Sequence, residues 1–272
     1  MSAFVRLQKI LPQHLISRVL GRLAASEGPL RGPLVRLFAR VYGVDLAEAE
    51  RTDLADYRSF NDFFTRALAP GARPIAPAAD AVASPADGVV SQAGRIERGE
   101  LIQAKGIRYS FARLADVCAG PAFEGGAFAT VYLSPKDYHR VHLPLAGRLV
   151  RTVAIPGKLF SVNATTEAGV PGLFAVNERL VCEFETAHGP MLVVLVGAMV
   201  VASIETVWDG PRSPYRQRVV TAHDRAFEKG DEIGRFLLGS SVVLAFERDR
   251  VRLDGLAAGR ALRMGEAIGH AT

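Results

Sequence analysis

The 272-residue chain carries 33 basic and 28 acidic side chains, a net charge of +5 and a pI near 9.5. With 49% hydrophobic and 22% charged residues it can bury a sizeable core, which excludes a globally disordered chain. Residues 1–44 hold seven basic residues against the single acid Glu27, a segment charge of +6, while the rest stands at −1; this excludes a basic, nucleic-acid-binding body and makes basicity an N-terminal feature.

In chain order, the N-terminus lacks a signal-peptide pattern, because Arg6, Lys9, Gln13 and His14 interrupt its apolar residues. Residues 12–26 predict an amphipathic helix with Leu15, Ile16, Val19, Leu20 and Leu23 on one face and Ser17, Arg18 and Arg22 opposite. Such a helix fits a surface element packed on its own protein, the commoner case. It equally fits a lipid interface with its arginines among anionic headgroups. Residues 34–44 predict a second helix, and 46–66 a third, N-capped by Asp45. The Pro/Gly-rich break at 69–77 divides a helical segment, 1–68, from a body, 69–272.

Beyond the break, short β-branched runs alternate with Gly, Pro and Asp turns, at 88–92, 128–133, 147–154, 180–184, 191–196, 200–207 and 241–247. The predicted fold class is α+β: a mainly antiparallel β body, barrel- or sandwich-like, with an N-terminal helical layer. The longest apolar run, 191–204, has fourteen residues, too few to span a bilayer as a helix, and predicts one or two buried strands. Cys118 and Cys182 lie among apolar neighbours and read as buried, inert thiols of a reducing compartment.

No GxxxxGK(S/T), helix-opening GxGxxG, HExxH or CxxC occurs, and no metal site is expected. Three polar groups stand out in apolar surroundings. His139 and His142 lie three apart in Tyr138-His139-Arg140-Val141-His142, a spacing that on a strand points them to opposite faces. Asp87 sits in Ser84-Pro85-Ala86-Asp87-Gly88, by itself a common turn. Gly239-Ser240 opens the apolar run after Leu237-Leu238, by default a bulge or turn. A glycine before a serine also leaves its carbonyl open to attack by the next hydroxyl. A carboxylate, a histidine and a serine are the parts of an activated nucleophile, although spacing alone does not bring them together.

With these segments in place, the sequence resembles the phosphatidylserine decarboxylase proenzymes, pyruvoyl-dependent enzymes of the prokaryotic type I kind. The likeness runs in order through SFNDFFTR (59–66), SPADG (84–88), KGIRYS (105–110), LSPKDYHRVHLP (133–144), PGKLFSVN (156–163), LFAVNER (173–179), VGA (196–198) and KGDEIGRFLLGSS (229–241). One departure is Ser241 where the family often has threonine, a change that keeps the hydroxyl.

The resemblance implies self-cleavage between Gly239 and Ser240 into a β chain, 1–239, and an α chain, 240–272, held together non-covalently. It implies that Asp87 orients His142 as general base toward Ser240, and that Ser240 becomes a covalent pyruvoyl cofactor. That group would form a Schiff base with phosphatidylserine and take up the electrons as CO2 leaves, with His139 as the acid that reprotonates the carbon. Lys158, Phe160, Ser161 and Asn163 would shape the substrate pocket. The implied partner is phosphatidylserine in an anionic membrane, at the cytoplasmic face of the cell membrane, and no nucleic acid; a homodimer of the two-chain unit is compatible with this. The implied substrate also turns the reading of residues 1–26 toward interfacial docking. Two alternatives are a pyruvoyl decarboxylase of another amino-acid or serine-headgroup substrate, and a silent membrane-binding β domain. The complete set of Asp87, His139, His142 and Ser240 argues against the silent domain.

Overall fold

Six of the β-branched runs pair with two further strands into one eight-stranded sheet. Its spatial order is Val219–Phe227, Gly147–Ile155, Arg179–Thr186, Gly189–Val196, Ser240–Phe246, Ala127–Leu133, Gly88–Arg95 and Ala261–Leu262. Every neighbouring pair is antiparallel. This computed structural model describes residues 3–198, 204–212, 214–237 and 240–272. The sheet begins and ends on different strands, so it is open, and the barrel form of the expected body is replaced by layers. Val242 and Leu244 point into one core while Val243 and Ala245 point into a second on the opposite face, the period-2 alternation of a strand buried on both sides.

The first core is closed by two smaller sheets. One holds Ile204–Thr206, Glu232–Phe236 and Arg140–His142, and the other holds Ala81–Ala83, Ala267–Ala271 and Val251–Leu253. The second core is covered by Ile96, Leu101, Phe111, Phe123 and the segment around Phe160 and Phe174. The apolar run 191–204 supplies strand to Val196 and again from Ile204, with 199–203 outside the described residues, as is the first half of the expected strand at 200–207. Both cysteines are free and buried, and burial pushes the Cys118 thiol up to about 12. Among the described residues no helix is long and apolar enough to cross a membrane.

Four helices precede the sheet: α1 (Ala3–Ile10), α2 (Gln13–Ala25), α3 (Arg31–Tyr42) and α4 (Phe60–Phe64). The continuous helix expected over 46–66 does not form. Asp45 Oδ1 accepts from the Ala47 amide, Asp53 Oδ1 from Ala55 and Ser59 Oγ from Asp62. These local side-chain bonds compete with the helical ladder and break the segment into turns. What remains helical is a 3-10 turn, Leu54–Asp56, and α4, whose Phe60, Phe63 and Phe64 pack with Tyr57, Val35 and Phe38.

α2 has the expected two faces, but the apolar one points outward. Gln13, Ser17 and Ala24 are buried, while Leu15 and Val19 are 54% and 55% exposed. α1 does the same, burying Val5 and Gln8 and leaving Ile10 82% exposed. The inward amides are satisfied by the body. Gln8 Oε1 accepts from Ser161 N (2.8 Å), Gln13 Oε1 accepts from Leu159 N (2.8 Å), and Gln8 Nε2 donates to Thr166 Oγ1 (3.2 Å). Buried amides without partners would be costly, so these bonds fix which face looks in.

The loop that receives these helices depends on a close backbone approach at Gly157. A Cβ there would lie 2.4 Å from the Asn177 carbonyl carbon and the Glu178 nitrogen. Gly157→Ala is therefore expected to lower the urea midpoint, with a loss of about 1–3 kcal/mol from overpacking.

Candidate active site

Register places the chemistry-bearing segments at one end of the large sheet. Ser240 pairs with Leu133, Ser241 with Val196, Val196 with Arg179, and Arg179 with Ile155; Val89 pairs with Tyr132. Around this edge lie the Asp87 turn, the His139 loop, the 156–163 loop, Asn177, Gly197 and Ser240. The loop 134–139 leaves the strand beside Ser240 and enters Arg140–His142, which pairs with Glu232–Phe236, the strand that leads back toward Ser240. The Phe236 amide donates to the His139 carbonyl at 2.9 Å. The histidine loop thus runs beside the end of Glu232–Phe236, the strand that precedes Ser240 in the chain.

Ser240 and Ser241 are fully buried, and neither hydroxyl has a hydrogen-bond partner among the described residues. Gly239, the other half of the expected cleavage site, lies outside the described residues together with Leu238. His139 is fully buried against the Phe64 ring, at a centroid distance of 3.9 Å. Its Nδ1 donates to the Asp137 carbonyl (2.8 Å), which leaves Nε2 as an unpartnered lone pair. Burial pushes its pKa down to about 3, so the ring is neutral.

The two histidines face apart. His142 Nδ1 donates to the Gly230 carbonyl (2.7 Å), and Nε2 accepts from the Tyr138 hydroxyl (2.9 Å). Burial also lowers the pKa of His142.

Asp87 makes no hydrogen bond to His142. Its carboxylate is gripped by Arg73, Nε to Oδ1 at 2.9 Å and Nη2 to Oδ2 at 2.5 Å, and accepts from the Met264 amide at 2.8 Å. A bidentate guanidinium satisfies most of the carboxylate's capacity, so Asp87 acts on His142 only through its charge, which opposes the effect of burial. Gly88 lets the turn pack down, since a Cβ there would lie 2.3 Å from the Tyr132 carbonyl oxygen.

The expected pocket residues belong to the wall between helices and sheet. Phe160 is buried in the second core, and Ser161 Oγ bonds Thr166 Oγ1 (2.8 Å). Asn163 caps the turn Ala164–Glu167, and Lys158 is exposed. Asn177 locks this wall to the sheet end, accepting from Phe160 N and donating to the Phe160 and Gly197 carbonyls. Lys158 and Phe160 line a cleft of about 700 Å³ whose other wall is Lys9, His14, Leu15 and Arg18 of the N-terminal helices. Sequence reasoning missed Arg73, Tyr138, Arg66 and the two glutamines. Gln8 and Gln13 stand among other polar and basic residues of the two helices and carry no distinguishing local pattern.

His139 links the site to stability. Its folded pKa is depressed, so the unfolded chain binds the extra proton between pH 6.5 and about 3, and stability falls as pH falls through that window. The expected contribution is about 1.4 kcal/mol per pH unit. Urea denaturation at several pH values between 7 and 5 should show a flatter dependence for His139→Asn than for the parent chain.

Among known proteins, a family model described as phosphatidylserine decarboxylase matches residues 60–270, and a shorter one described as PSD matches 3–43. A protein of Azotobacter vinelandii is 52% identical over 276 residues, covering 97% of this chain and 96% of its own length. One from Acinetobacter baumannii strain AYE is 49% identical over 270 residues, covering 98% and 95%. One from Acinetobacter baylyi is 48% identical over 272 residues, covering 99% and 95%. Each is named phosphatidylserine decarboxylase proenzyme. Near-full-length identity of this order, over a chain whose matching motifs meet at one sheet end, is decisive: the chain belongs to the phosphatidylserine decarboxylase family and is an enzyme of the carboxy-lyase class.

Proposed function

We propose that this chain is a self-processing proenzyme that decarboxylates phosphatidylserine to phosphatidylethanolamine and CO2, docked peripherally at the cytoplasmic face of the cell membrane. The observation that carries the reading is the Ser240 hydroxyl, buried without a partner at the mouth of a central strand, beside the connection that bears His139.

In the first stage His142, biased by the charge of Asp87, removes the Ser240 proton, and Oγ attacks the Gly239 carbonyl. The peptide C–N bond breaks as an ester forms. Elimination of the Gly239 carboxylate leaves dehydroalanine, and water replaces its nitrogen, released as ammonia, to give a pyruvoyl group. The residues fit such a group: the orphaned Ser241 hydroxyl is a donor that a small carbonyl at position 240 would engage, while the Ser240 Oγ departs in the new Gly239 carboxylate. The pyruvoyl group supplies an electron sink for the charge left as CO2 departs. The neutral ring of His139 takes up at Nε2 the proton shed by the substrate's ammonium group and passes it to that carbon, and its burial keeps bulk water from the same atom.

The fold supports retention of the 33-residue α chain. Ser240–Phe246 is hydrogen-bonded on both sides within the sheet. Arg263 pairs with Glu48, and Met264 N binds Asp87. Residues 1–68 form the membrane-associating segment and 69–272 the catalytic body. Outward apolar residues such as Leu7, Ile10, Leu15, Val19, Leu37 and Val41 stand among exposed Arg6, Lys9, Arg18, Arg22, Arg36 and Arg40, the composition that binds an anionic interface.

A second reading gives the first proton transfer to His139, because its Nε2 is vacant while both ring nitrogens of His142 are engaged. Intact mass under denaturing conditions separates the readings. The purified chain is expected as fragments 1–239 and 240–272 with a pyruvoyl terminus, and Ser240→Ala as one uncut, inactive chain. His142→Ala should stay uncut, whereas His139→Ala should cut and lose at least about 100-fold in CO2 release. A cut His142→Ala with an uncut His139→Ala would assign the base to His139. A higher kcat/KM for a soluble amino acid than for phosphatidylserine vesicles would favour a different substrate.

Membrane docking is tested by co-sedimentation with anionic vesicles. Arg18→Glu with Arg22→Glu should weaken binding at least about tenfold, each basic residue contributing about 1 kcal/mol at such a surface.

A further inference from the structure

Arg66 is only 4% exposed, yet no carboxylate pairs with it among the described residues. Its Nη2 donates to the carbonyls of Lys136 (2.7 Å) and Asp137 (3.3 Å), while Nε and Nη1 are buried and have no partner. A buried guanidinium with idle donors is a charge awaiting an anion. The nearby acids are already committed. Asp87 is held by Arg73, Glu48 by Arg73 and Arg263, and Asp137 Oδ2 accepts from Ser134 N.

Arg66 also stands next to the candidate chemistry. The Asp137 carbonyl that accepts from its Nη2 is the one that accepts from His139 Nδ1, and Phe64, two residues earlier, stacks on the His139 ring. On its other side Arg66 lines a cleft of about 230 Å³ with Arg73, Lys136 and Tyr138, and with Asp45 and the already committed Glu48, Asp87 and Asp137. The cleft reaches Gly43 and Asp45, immediately after Val41 and Tyr42, which are exposed apolar residues at the end of α3. A headgroup entering there would stay continuous with a lipid surface outside.

We propose that Arg66 binds the phosphodiester of the lipid headgroup, an inference that rests on the function proposed above. The carboxylate of the same headgroup is the poorer match. A guanidinium clamped on the group that leaves as CO2 would stabilise the charge that the reaction must discharge, whereas the phosphate keeps its charge throughout. Binding energy drawn from that non-reacting part can hold the reacting carbon in place. The fork of donors suits phosphate oxygens.

Calorimetry on the full-length Ser240→Ala chain tests this without turnover. Adding Arg66→Gln should weaken glycerophosphoserine and glycerophosphoethanolamine at least about tenfold, the loss of a charged hydrogen bond. O-Methylserine, which has the carboxylate but no phosphate, should change less than about twofold, and Arg66→Lys should fall between. An equal loss for O-methylserine, or no loss for the phosphodiesters, overturns the assignment. Inorganic phosphate binding as tightly as glycerophosphoserine also overturns it, in favour of a free-phosphate site. If Arg66→Gln does not fold, the Ser240→Ala chain alone decides: it should bind glycerophosphoethanolamine at least about tenfold more tightly than ethanolamine, and equal affinities reject the site. These binding results stand apart from CO2 release by the parent chain, whose absence would reject the proposed function and not the phosphate site.

Discussion

Everything at this site depends on the register of one strand. Ser240–Phe246 is hydrogen-bonded to Gly189–Val196 on one side and Ala127–Leu133 on the other. That pairing sets Ser240 opposite Leu133, where the chain turns into the histidine loop. A slip of one residue would exchange its two core faces and send every side chain to the wrong layer. Because the strand is apolar on both faces, burial alone would tolerate the exchange; pairing on both edges and the close packing of two differently shaped cores oppose it and fix the serine. Local loop chemistry plays a smaller part.

Polar groups left idle inside this apolar frame are the second organising fact. Ser240 Oγ, Ser241 Oγ, His139 Nε2 and two nitrogens of Arg66 are buried without partners, while Asn177, Gln8 and Gln13 nearby are fully bonded. The fold therefore uses its available hydrogen-bond partners to hold the walls and leaves the candidate reactive groups unsatisfied. Idle buried donors and acceptors lower stability, and sites that must bind or react tolerate that loss.

The β-branched runs punctuated by Gly, Pro and Asp fall on strands within a few residues, but Val219–Phe227, Glu232–Phe236 and Ala267–Ala271, which mix polar residues into the strand, are not anticipated by that pattern. One helix through 46–66 capped by Asp45 is an overextension, because the side chains of Asp45, Asp53 and Ser59 each bond the backbone locally. Sequence reasoning gave α2 its two faces but not their direction, since periodicity defines a stripe and not what lies beneath it. The residues near Ser240 were recognisable by motif. Arg73 reaching Asp87, or Arg66 sharing a carbonyl with His139, comes from contacts distant in sequence that leave no local pattern.

The outward-facing apolar stripes of α1 and α2 change what counts as the solvent of this fold. In water these helices bury amides and expose leucines, so the hydrophobic effect works only part way there. A surface that takes up Leu15, Val19 and Ile10 completes that burial and becomes, thermodynamically, one more layer of the protein. The folded state then gains stability in proportion to the logarithm of the available lipid. The N-terminal segment would be more ordered on a bilayer than off it, with no second chain and no conformational switch required.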